Sequence, residues 1–211
     1  MYMGANTTGY ATSFFIPTII NQMGYTAAQS QIRAIPIFVV ATFTCLAIAW
    51  CADAYKHRYA FIMFGCLVGI IGYAILLNMP SVSVGVRYMA CFFITAGGFI
   101  AQPITIAWVS NQMGGHYKRA VSSAFQIGFG NCGGIIASNI FLKHQLPRYP
   151  VGFGVAAGML GVTMLASSAL WIGLWQENKK RDAGGRDYRF QEEQKELENM
   201  GDDHPRFRFT Y

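Results

Sequence analysis

Acidic side chains are almost missing from the first 176 residues, where Asp53 stands alone against nine Asp and Glu residues further on. An intramembrane carboxylate or imidazole is the usual proton-relay group of a membrane carrier, and this stretch has no evident one. The four histidines, His57, His116, His144 and His204, sit in polar loops or the tail with no repeated metal spacing. All five cysteines (Cys45, Cys51, Cys66, Cys91 and Cys132) fall inside apolar stretches. A disulfide framework or a zinc site is therefore not expected, and the thiols read as small packing residues. No strand precedes a glycine-rich loop, and no nucleophile–base set emerges. No enzyme activity and no cofactor are expected. Charged residues make up 12% of the chain and hydrophobic ones 53%, which excludes a disordered polypeptide.

What the chain does have is six apolar stretches, spanning about 2–23, 32–52, 59–77, 85–109, 119–142 and 152–175. A helix rises about 1.5 Å per residue, so roughly 20 mainly apolar residues cross the hydrocarbon of a bilayer. None of these stretches has an acidic interior, whereas a soluble helix would place charge along one face. The expected fold class is an all-α membrane protein with six transmembrane helices over 1–176, followed by a polar tail over 177–211. The tail holds eight basic and nine acidic residues, leaving eight basic and one acidic in 1–176. That surplus argues for membrane orientation and not for nucleic-acid binding. Lys56, Arg58, Lys118, Arg119, Lys179, Lys180 and Arg181 gather on one side, and Arg33, Arg87, Lys143 and Arg148 on the other. The positive-inside bias puts the first set, the tail and both termini in the cytosol. Asn6-Thr7-Thr8 matches the glycosylation pattern but lies in the cytosolic half of the first helix, so it is set aside. No cleavable signal sequence is evident.

Polarity sorts the helices. The third and sixth carry little that is polar and are expected to face lipid. The first, fourth and fifth carry Asn6, Gln102, Gln126, Asn131 and Asn139, and an amide in hydrocarbon must face a partner helix or a wet cavity. Asn6, Tyr10 and Ser13 share one helical face, as do Thr95, Gln102 and Thr105. Asn131, Ser138 and Asn139 cluster on the fifth helix, with Gln126 pointing elsewhere. Converging stripes of this kind supply neutral donors and acceptors for a midplane solute site. The blander alternative is interhelical hydrogen bonding that only holds the bundle together. Asn6, Tyr10, Ser13, Gln102, Thr105, Gln126 and Asn131 are the candidate substrate-binding residues. Gly130, Gly134 and Ser138 repeat every four residues, a spacing that suits close backbone packing first and a rocking surface second. Asp53, five positions before Arg58, can pair with it or meet a helix N-terminus, and either contact would latch that side; an ordinary interfacial charge is the alternative. Pro17 and Pro103 stand fifteen residues after Tyr2-Met3 and Tyr88-Met89, a faint trace of a three-plus-three repeat. In the tail, 188–200 has the spacing of a short surface helix with a Glu192–Lys195 pair, and 201–211 reads as extended and solvated.

Several segments resemble one family. Phe14–Tyr25 (FFIPTIINQMGY), Ala52-Asp53 followed by Lys56, His57 and Arg58, Trp108–Ala120 (WVSNQMGGHYKRA) and Gly128–Ser138 (GFGNCGGIIAS) carry the likeness. Leu146–Tyr149, Arg186-Asp187-Tyr188-Arg189, and Gly201-Asp202 with His204-Pro205 extend it. Together they resemble the C-terminal half of a major facilitator superfamily transporter of the fungal allantoate/nicotinate permease group of anion:cation symporters. The resemblance implies one six-helix lobe of a twelve-helix carrier working by alternating access, in the plasma membrane. Its implied partners are a small organic anion, a proton, the lipid bilayer, and the absent N-terminal lobe or another transporter half. The cation for a substrate carboxylate and the proton-coupling group would lie in that other lobe, since Arg33 and Arg87 sit near the outer surface. A non-transporting membrane subunit dimerising through the fifth helix is the second reading, and a membrane enzyme the third.

Overall fold

The computed structural model describes residues 1–141, 149–191 and 200–211. Six long helices account for most of them: α1 (Tyr2–Asn21), α2 (Ala27–Tyr55), α3 (Arg58–Leu77), α4 (Val84–Asn111), α5 (His116–Ile140) and α6 (Pro150–Asp182). Local chemistry fixes several ends. Thr26 Oγ1 accepts the Gln29 amide while Gln29 Oε1 accepts the Thr26 amide, a reciprocal cap that starts α2. Lys56 closes the same helix in the left-handed conformation at φ 54°. Pro150 opens α6 at a position whose N–H would have no helical partner.

Four of these helices, α2, α3, α4 and α6, are long and apolar enough to cross a membrane. Asn, Thr, Gly and Ser dilute α1 and α5. Length and composition alone therefore support four spans, where six are expected from the sequence. α1 also starts beside the middle of α6, where the Met1 carbonyl accepts the Thr163 hydroxyl at 3.1 Å.

α4 is the centre of the bundle, with α3 along one side and α1, α2 and α5 on others. Gly65, Gly69 and Gly72 of α3 meet Gly97, Ile94 and Ile100, and a Cβ on Gly97 would run into the backbone of Gly65 and Gly69. This seam corrects the expectation that α3 simply faces lipid: it buries Ile62, Cys66, Tyr73 and Leu76 against α4 and α6. The greatest apolar exposure belongs instead to α2, with Ile32, Ile35, Phe43, Leu46 and Trp50 all open. The α5 seam also has a different register. Gly130, Gly133, Ala137 and Ile140 are its buried residues, Gly134 lies beside the Tyr10 ring, and Ser138 is exposed. A helix repeats every 3.6 residues, so a row kept strictly at four drifts off a straight contact line.

Both prolines are accommodated inside continuous helices. Pro103 cannot donate to the Phe99 carbonyl, and the Cys45 thiol of α2 takes that acceptor at 3.2 Å. Pro17 leaves the Ser13 carbonyl without its helical donor in the same way.

The tail departs most from expectation. α6 runs past 176 to Asp182, a short 3-10 turn covers Asp187–Gln191, and residues 200–211 fold back onto the end where α2, α4 and α6 finish and α3 and α5 start. The segment is held against that end and half-buried along most of its length. The expected 188–200 helix with its Glu192–Lys195 pair lies largely outside the described residues, as do Lys143, His144 and Arg148.

Candidate functional site

Three helices bring their amides together. Gln102 Nε2 of α4 donates to Asn6 Oδ1 of α1 at 2.5 Å. Asn6 Nδ2 donates to Asn131 Oδ1 and to the Gly130 carbonyl of α5, both at 3.1 Å. Tyr10 adds a long contact to Asn131 Oδ1 at 3.5 Å. The convergence follows from helical period: Asn6 and Tyr10 lie one turn apart, and glycine at position 9 lets the Gln102 side chain press against α1. Gly133 does the same for α5, since a Cβ there would meet the Met3 carbonyl and Thr7.

Burial grades across the cluster. Asn6 is 4% exposed and spends its carboxamide on partners from both other helices. Gln102 and Tyr10 are half-buried and Asn131 is exposed. Gln102 Oε1 and Asn131 Nδ2 make no hydrogen bond to a described residue. The cluster thus leaves one neutral acceptor, on the half-buried Gln102 beside Gly9, and one neutral donor, on the exposed Asn131, with no formal charge.

Other candidates stand apart from it. Thr105 and Thr95 are buried and turn their hydroxyls back to Ala101 and Cys91 of their own helix. Gln126 Nε2 bonds the Thr105 carbonyl at 3.2 Å, while its Oε1 is buried with no hydrogen-bond partner among the described residues. Gln126 also lines a groove of about 570 Å³ beside the start of α1, between Val109, Val121, Phe125 and Phe129. Ser13 and Pro17 line a separate pocket of about 480 Å³ between α1 and α2, walled by Ile35, Phe38 and Phe43. Asn139 bonds the Ile135 carbonyl of its own helix.

Of the two contacts open to Asp53, the structure has the ion pair: Arg58 Nη2 stands 2.5 Å from its carboxylate. The Asp53 side chain is 68% exposed, so water screens much of that attraction. Arg58 also donates to the Ala107 carbonyl, and the pair shares a cavity of about 210 Å³ with Lys56, Asn111 and Thr210. Arg33 and Arg87 do not reach the amides. Arg33 stacks on the Tyr25 ring at 3.8 Å. Arg87 donates to the Val82 carbonyl and lies fifteen residues, about 22 Å of helix, from Gln102.

A three-helix amide cluster with an exposed edge can meet a polar solute. An MFS-type transporter of Penicillium expansum, cnsO, is 35% identical over 98% of this chain. The chain is a homologue of fungal major facilitator transporters. The high-affinity nicotinic acid transporter of Saccharomyces cerevisiae is 28% identical over 99% of the chain. The major facilitator-type transporter hxnP of Emericella nidulans is 28% identical over 82%. The chain spans 41%, 39% and 35% of those three proteins' own lengths. No family model and no solved structure matches it. Its homologues are transporters and not enzymes, and the four apolar helices together with that homology make it an integral membrane protein.

Proposed function

We propose that this chain is the C-terminal lobe of a plasma-membrane carrier that moves a small organic anion of the nicotinate or allantoate type with a proton, by alternating access. In this reading α1 to α6 are all spans, both termini are cytosolic, and a second six-helix lobe faces the open side of the amide cluster. The observation that carries it is the Asn6–Gln102–Asn131 junction of three helices, completed by Tyr10, with its graded exposure. A bond made only for cohesion gains nothing from an open face, whereas a solute site requires one. The leftover Gln102 acceptor and Asn131 donor match the hydroxyl and carbonyl of a protonated carboxylic acid. Such a pairing suits a lobe with no fixed intramembrane charge.

Asp53 and Arg58 then act as a latch at the tail-side end, and Pro17, Pro103, Gly130 and Gly134 as points where helices bend or slide. Dimerisation through the α5 glycines is less well supported, because Gly130 and Gly133 are already covered by Tyr2, Met3 and Thr7. The test is uptake of labelled nicotinate by cells expressing this lobe joined to an N-terminal six-helix lobe. Asn6→Ala and Gln102→Ala should each raise KM at least fivefold with unchanged surface amount. Unsubstituted constants in both variants would remove the site assignment.

A further inference from the structure

The end of the bundle that receives residues 200–211 is built to read a polypeptide backbone. Two carboxamides from different helices each engage both main-chain groups of one residue. Asn178 of α6 accepts the Phe209 N–H through Oδ1 at 3.0 Å and donates to the Phe209 carbonyl through Nδ2 at 2.9 Å. Gln112, just after α4, accepts the Thr210 N–H at 3.2 Å and donates to the Thr210 carbonyl at 2.6 Å. Successive residues of an extended chain present their main-chain groups to opposite sides, so two such readers, one on each flank, take the place of neighbouring strands.

The flanking contacts fix the register. Trp108 Nε1 donates to the same Thr210 carbonyl at 2.9 Å, and the Arg58 amide donates to a main-chain oxygen of Tyr211 at 2.5 Å. Arg181, only 5% exposed, donates to the carbonyls of Asp202, His204 and Phe207 and stacks its guanidinium 4.6 Å over the Phe209 ring. Gly114 and Gly201 approach backbone to backbone, leaving no room for a side chain on either. The Gly114 amide and Lys118 both hold the Asp202 carboxylate. Packing of helices requires none of these bonds. Together they spend a buried arginine, an indole and two amides on one short segment.

We infer that this face is a peptide-recognition site formed by Trp108, Gln112, Asn178 and Arg181, whose ligand is the chain's own extended segment Phe207–Tyr211. Occupancy ties α3, α4 and α6 together at that end. It also sets a main-chain oxygen of Tyr211 on the amide of Arg58, the partner of Asp53, so filling or emptying the site acts on that ion pair.

Amide hydrogen exchange on the full chain in lipid nanodiscs reads the site directly. Phe209 and Thr210 should exchange at least a hundredfold slower than in a synthetic peptide of residues 200–211. Arg181→Gln should bring them within tenfold of the peptide and expose the Arg58 amide, with exchange over residues 94–105 of α4 unchanged. Gln112→Glu, which keeps the acceptor and removes the donor, should release Thr210 more than Phe209, and it serves where Arg181→Gln disturbs α4. Peptide-like exchange of Phe209 and Thr210 in the unsubstituted chain would overturn the inference. Full protection retained in both variants would overturn it equally.

Discussion

The α3–α4 seam and the α1–α4–α5 junction both use glycine to bring backbones together, yet they end in opposite chemistry. Along α3, Gly65, Gly69 and Gly72 admit Ile94, Gly97 and Ile100, and the contact is dry and aliphatic. At the junction, Gly9 of α1 admits Gln102 and Gly133 of α5 admits Thr7 and the Met3 carbonyl, and the contact is made of amides that bond one another. An aliphatic seam has one good packing and resists sliding. An amide junction can exchange partners without leaving a polar group unpaired, provided water or a solute takes each vacated bond. The difference assigns rigidity to one side of α4 and adaptability to the other.

Substitutions sharpen the contrast. The largest effect is expected from Gly97→Val, whose side chain would be driven into the α3 backbone. Overpacking of this kind costs about 1–3 kcal/mol or more, and the variant should lose monodispersity in detergent or melt well below the parent. Asn6→Ala removes three interhelical bonds, and of the groups it leaves only Asn131 is exposed. Its cost should be about 1–2 kcal/mol, read as a modest loss of thermal stability with the helical content intact. Asp53→Asn should cost at most about 1 kcal/mol, because the exposed pair is screened.

Acidification should act at the tail and on neither seam. Burial works against the charge of Asp202, but Lys118 and the Gly114 amide outweigh it and hold its pKa below the ordinary value. Groups depressed in the folded state contribute above their unfolded pKa and lose that contribution as pH falls through the folded one. A spin label on 200–211 should therefore gain mobility as pH falls below about 4.

Much of this organisation is legible in the sequence, because it depends on local period and length. Six apolar stretches correspond to the six helices to within a few residues at most ends. The spacing of Asn6 and Tyr10, set against Gln102 and Asn131, is enough to expect their meeting. The α3 seam was also written there, in Gly65, Gly69 and Gly72 at intervals of four and three, but a helix so apolar otherwise reads as a lipid face. The tail site had no local signature. Trp108, Gln112, Asn178 and Arg181 come from separate parts of the chain, and a mixed-charge terminus looks solvated until a buried arginine is found to hold it. Ser13 shares a face with Asn6 by periodicity, yet α2 rather than α4 lies opposite it.

The most direct measurement compares water access at the two sides of α4. A cysteine placed as Asn131→Cys, in a chain with Cys132→Ala, would be challenged with a membrane-impermeant thiol reagent that reacts in water. Native Cys66 in the α3 seam provides the internal reference. The expected result is modification of position 131 at least a hundredfold faster than Cys66, and under the proposed function added nicotinate slows it. Equal inertness of the two thiols would contradict the division into a dry, rigid seam and an open amide junction.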